Sequence, residues 1–85
     1  MPTGRYSSAA VSLEVSKRIA LRGRGTRKEL AEYLGVEPTS VSHTLSGRYH
    51  WSLDMLSAVA EFFDAPPGWP LIPWEIAERA FGSRK

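Results

Sequence analysis

The chain has 85 residues, 42% hydrophobic and 24% charged, a mixture that suits one small folded domain rather than a disordered tail. It contains no cysteine, which excludes disulfide staples, cysteine-ligated zinc and a thiol nucleophile together. No apolar run approaches the roughly 20 residues of a membrane span. The opening MPTGRYSS lacks the apolar stretch of a signal peptide, so the chain reads as cytoplasmic.

In chain order, residues 1–8 are small and polar and read as a flexible arm carrying Arg5 and Tyr6. Ser8 can cap a first helix from about Ala9 to Arg22, with Val11, Val15 and Ile19 as its buried stripe. Gly23 and Gly25 end it. Thr26, followed three residues later by Glu29, has the spacing of a capping box for a second helix from about Arg27. Leu30, Ala31 and Leu34 share one face of that helix, and Gly35 stops it. Pro38 fits the first position of a third helix, which runs to about Leu45 or Ser46 and ends at Gly47.

Ser52 begins a fourth helix that ends near Phe63, with Leu53, Leu56, Ala60 and Phe63 as its inner stripe. Met55, Val59 and Phe62 form a second apolar flank. The run Asp64-Ala65-Pro66-Pro67-Gly68 breaks this helix, and a last short one spans Pro73 to Phe81, with Trp74, Ala77 and Phe81 on one side. No segment alternates as a strand does. The expected fold is all-α, a compact bundle of four or five helices, with residues 9–64 as the core domain and 65–85 as an aromatic extension. Trp69, Trp74, Phe81, Leu71 and Ile72 are too apolar to leave in water. They either fold back over the second flank or build a homodimer face around Met55, Phe62 and Trp74.

The net charge of +2 hides an uneven distribution. Residues 1–50 hold eight basic side chains against four acidic ones, and residues 51–85 hold three against five. Lys17, Arg18, Arg22, Arg24, Arg27 and Lys28 follow one another with no acid between them. Such a patch suits a polyanion, although a solvated charged face has the same composition.

The second and third helices, joined by a short turn containing Gly35, have the geometry of a helix-turn-helix. Ala31 is small where the two helices cross, and Val36, Val41 and Leu45 are expected to bury the turn against Leu30 and Leu34. On the opposite side of the third helix, Thr39, Ser42, His43 and Ser46 fall within one wedge. All four can hydrogen-bond and none is acidic, which a helix needs to approach base edges in the major groove. A face that served only solubility would favour Glu, Lys and Gln for their helix propensity.

The stretch TRKELAEYLGVEPTSVSHTLSGRYHWSLDMLSAVAEFF resembles the helix-turn-helix of the phage lambda CI/Cro repressor family, also called the XRE family. The resemblance covers Thr26 to Phe63 and rests on Thr26, Ala31, Gly35, Val41, Gly47 and the Ser52-Leu53 start of the fourth helix. Pro38 to Gly47 is also similar to the reading helix of LacI-type regulators. Arg27 and Trp51 stand where the family usually has glutamine and proline, and Pro38-Thr39 replace its frequent glutamines.

The resemblance implies base contacts from Thr39, Ser42, His43 and Ser46. It implies phosphate contacts from Arg27, Ser40, Arg48 and Tyr49, with Lys28, Arg22 and Arg24 adding attraction. The implied function is sequence-specific binding of an operator in double-stranded DNA by a transcriptional regulator, a phage Cro or short immunity repressor. The alternatives are a helix-turn-helix antitoxin that represses its own operator and grips a toxin, and an interaction module that no longer binds DNA. No acid pair, nucleophile–base arrangement or phosphate-cradling glycine loop indicates an enzyme. No cofactor, small-molecule ligand or metal is expected, since His50, the only other histidine, lies outside the helix of His43.

Overall fold

The computed structural model describes residues 8–82. Five helices follow one another: α1 (Ser8–Arg22), α2 (Thr26–Leu34), α3 (Pro38–Leu45), α4 (Leu53–Phe63) and α5 (Trp74–Phe81). There is no strand among the described residues, and the fold is all-α. The flexible-arm reading of the N-terminus, with Arg5 and Tyr6, lies outside the described residues.

Helices this short are marginal in water, so burial of one face must hold each in place. Val11 and Val15 supply that face in α1, with Ile19 half-buried behind them. α2 contributes Leu30 and Ala31, both fully buried, and packs against α3 and α4. α3 adds Val41 and rests on α1 as well as α2.

Two local expectations are corrected. Thr26 does not open a capping box. Gly25, at φ 89°, turns the chain into α2, and the buried Thr26 hydroxyl donates backwards to the Gly23 carbonyl at 2.7 Å. Thr26 thus closes the turn between α1 and α2 instead of accepting from the helix, and Glu29 reaches Arg22 at 3.6 Å. Ser52, by contrast, is the N-cap that its position suggests, accepting from the Met55 N–H at 3.1 Å.

The second correction concerns α4. Leu53, assigned to its inner stripe, is 82% exposed, whereas Val59, assigned to the outer flank, is fully buried. At 100° per residue the two lie about 120° apart around the axis. Two adjacent apolar flanks left the inward direction open. Packing turns the wedge centred on Val59 and Phe63 inward and leaves Leu53 in solvent.

The segment after α4 returns to the core through Trp69, Ala77, Ile72 and Trp74, but Phe81 and Leu71, expected to be buried, stay exposed. Trp69 is buried, its ring edge-on to Phe63 (5.6 Å between centroids) and to Trp74 (5.3 Å). Its indole N–H donates to Glu14 Oε1 at 3.1 Å, and the Trp74 backbone N–H donates to the same oxygen at 3.2 Å. Lys17 Nζ meets the other carboxylate oxygen at 3.4 Å. Glu14 is therefore a buried acid in α1 with three donors, two of which, from Trp69 and Trp74, anchor the aromatic extension. The Arg18 guanidinium lies 3.7 Å above the Trp74 ring and clamps it from outside.

Glu14→Ala leaves the buried Trp69 N–H without its acceptor, so urea unfolding should show a loss of about 1–3 kcal/mol or more. The same substitution made in Trp69→Phe, which has no donor to orphan, should cost clearly less. Equal losses in the two backgrounds would remove Glu14 as the anchor.

Candidate nucleic-acid interface

The turn between α2 and α3 sets the interface. Gly35 adopts φ 74°, ψ 31°, a left-handed conformation, and its N–H closes α2 on the Glu32 carbonyl. The Val36 N–H bonds the Ala31 carbonyl at 3.0 Å. That leaves the Val36 side chain 39% exposed, so burial of the turn falls to Val41 with Leu30, without the share expected of Val36. Glu37 is extended, and Pro38 opens α3 at a position where no N–H is required.

α3 is buried on one side only. Val41 and Thr44 are each 2% exposed, and Thr39, Ser42, His43 and Ser46 occupy the other side at spacings of three and four. Thr39 and Ser46 are exposed, while Ser42 and His43 are half-buried among their neighbours. Half-buried Ser40 gives its carbonyl to the Thr44 hydroxyl at 2.9 Å.

Behind the helix runs a relay that sequence reasoning did not assign. The Trp51 indole N–H donates to Ser12 Oγ at 3.0 Å, and the Ser12 hydroxyl donates to the Thr44 carbonyl at 3.3 Å. The relay ties α1 and the segment after α3 to the back of α3. The replacement of proline by Trp51 was the one sequence signal that pointed to it.

At the C-terminal end of α3 the backbone folds back on itself. The Arg48 and Tyr49 N–H groups both reach the His43 carbonyl, at 2.8 and 3.3 Å, and the Ser46 hydroxyl donates to it at 3.0 Å. Tyr49 stands edge-on to the His43 ring at 5.2 Å. Arg48 and Tyr49 are thereby held exposed beside the open face of α3. From the other flank, Arg27 Nη1 at the start of α2 donates to Ser42 Oγ at 3.2 Å.

The basic run divides into two groups. Lys17 pairs with Glu14, Arg18 with Glu75 at 4.0 Å, and Arg22 with Glu29. Arg22 also donates to the Phe62 carbonyl at 3.4 Å and lies 4.5 Å above the Phe62 ring. It is committed to α4, away from the face on which the resemblance places phosphate. Arg24, Arg27, Lys28 and Arg48 are exposed and have no ion pair among the described residues. The side chains assigned to a homodimer face are likewise engaged within the chain. Phe62 packs on Tyr33 and Phe63, Trp74 sits under Arg18, and Met55 is half-buried.

A five-helix fold with a short glycine turn and a polar third helix defines a helix-turn-helix protein. The family model described as helix-turn-helix, of the XRE type, matches residues 17–69, and the chain belongs to that family of DNA-binding regulators. No curated protein and no solved structure matches the chain. No helix among the described residues is long and apolar enough to cross a membrane.

The Gly35 turn yields a prediction of its own. A Cβ placed there meets nothing within 4 Å, so Gly35→Ala adds backbone strain without a clash. The expected loss is about 1–2 kcal/mol by denaturant unfolding, with an unchanged far-ultraviolet spectrum. Loss of the fold would mean that the turn is packed more tightly than this geometry allows.

Proposed function

We propose that the chain is a sequence-specific, double-stranded DNA-binding transcriptional regulator of the phage Cro or short-repressor kind, which reads the major groove with α3. The observation that carries this reading is the open face of α3. Thr39, Ser42, His43 and Ser46 present hydrogen-bonding groups without negative charge, between Arg27, which reaches Ser42 from the start of α2, and exposed Arg48 just after α3. Exposed Arg24 and Lys28 precede and follow Arg27 in the chain. Side chains of this size approach base edges without repulsion, while the flanking cations meet phosphates and set the register. Thr39 opens the face, His43 stands at its centre braced by Tyr49, and Ser46 closes it. Within this reading Lys17, Arg18 and Arg22 contribute little, because each already faces an acid.

The salt dependence of binding tests the electrostatic half. With Arg24, Arg27, Lys28 and Arg48 as the phosphate-facing cations, log Kobs against log salt should fall with a slope of roughly −3 to −4 per subunit. A flat profile between low and physiological salt would contradict DNA binding by this surface.

Selection of sequences from a random duplex pool tests the reading half. Thr39→Ala or His43→Ala should cost about 1–3 kcal/mol on the best site and little on random DNA. Lys28→Ala and Arg48→Ala should weaken every sequence alike and lower the salt slope by about one each. An unchanged selection profile for His43→Ala would remove His43 from the reading face.

A further inference from the structure

Arg27 and Ser42 lie in different helices, yet the Arg27 guanidinium donates to the Ser42 hydroxyl oxygen at 3.2 Å. The direction of this bond needs no sight of a hydrogen. A guanidinium has donors only, so the Ser42 oxygen must be the acceptor. One lone pair of Ser42 is thus occupied by a charged donor, and its own proton has no acceptor among the described residues. Donation from a cation also strengthens the hydroxyl as a donor in turn.

Resting on the DNA-binding reading, we infer that Arg27 is a positioning residue for specificity, which presets Ser42 to donate its proton to an acceptor on a base edge. In the major groove guanine offers N7 and O6, thymine offers O4 and adenine offers N7, whereas cytosine offers only an amino donor. The base that Ser42 meets is therefore guanine, thymine or adenine, and cytosine is rejected. Arg27 holds that preference even though it touches no base itself.

Ser46, one turn further along the same face, supplies an internal control. Its proton is already given to the His43 carbonyl at 3.0 Å, a bond in which Arg27 has no part. The base preference at the position Ser46 meets should not depend on Arg27.

The test is selection from a random duplex pool with the full chain and three variants, Arg27→Met, Ser42→Ala and the double variant, each checked for its helical spectrum. Methionine keeps the length of the arginine stem and removes every donor. The wild type should show one position at which the bases that offer an acceptor (guanine, thymine or adenine) are preferred over cytosine by about five- to tenfold. Ser42→Ala should flatten that position, Arg27→Met should flatten the same one, and the double variant should flatten it no further. Overall affinity will also fall in Arg27→Met through the lost charge, so the readout is the base ratio, not the affinity.

The inference is overturned if Arg27→Met lowers affinity on all sequences and leaves every base ratio intact. It is equally overturned if the position it flattens is not the one that Ser42→Ala flattens. Both outcomes leave the DNA-binding reading standing. Failure of the wild type to enrich any duplex would remove that reading, and the inference with it.

Discussion

Eight residues of α3 have to present a polar face while being too short to hold a helical shape alone. The rest of the structure follows from that constraint. Val41 and Thr44 are the only side chains of α3 buried to the core. They must be gripped from three directions to fix the helix in rotation as well as position. Leu30 and Ala31 of α2 grip it through close packing, and the Trp51–Ser12 relay grips the Thr44 carbonyl. The Gly35 turn sets the angle at which α2 delivers it. A reading helix gains from such rigidity, because base discrimination depends on placing single hydrogen bonds to within a few tenths of an ångström.

Charge is arranged by the same economy of short elements. The aromatic extension does more than complete the core around Trp69. Its Trp74 and Glu75 hold Arg18, Glu14 in turn holds Lys17, and Phe62 with Glu29 holds Arg22. Arg18 and Arg22 of α1 thereby become packing groups, their guanidinium groups laid over aromatic rings, while Lys17 is tied to Glu14. What remains outside is a smaller set at the start of α2 and just after α3, on the two flanks of the open helix face. The helix dipole of α2 adds its positive end to the first of these flanks.

The sequence made most of the fold legible, since the five helices begin and end within a residue or so of their glycine, serine and proline signals. The misses share one physical origin. Periodicity gives the existence of an apolar face but not its direction when two flanks adjoin, which is why Leu53 and Val59 exchanged places. A polar residue is read as solvated unless its partner is known, and Trp69 on Glu14, Thr44 on Ser12 and Phe62 on Arg22 lie 32 or more residues away in the chain. Thr26 has the right type and spacing for a cap, yet α2 is entered at Gly25 and the Thr26 hydroxyl donates back to the Gly23 carbonyl instead of accepting from the helix. The open face of α3 was legible because it depends only on spacing within one helix. The Arg27–Ser42 bond was not, because it joins two helices across the turn.

Nuclear magnetic resonance of the isotope-labelled protein, titrated with a duplex enriched by selection, tests most directly whether α3 meets DNA. The amide signals of Thr39, Ser42, His43 and Ser46, with those of Arg27, Lys28 and Arg48, should shift most. Those of α5 and of the exposed Leu53 end of α4 should stay in place. Shifts centred on α4 and α5, with α3 unmoved, would contradict the assignment of α3 as the reading helix.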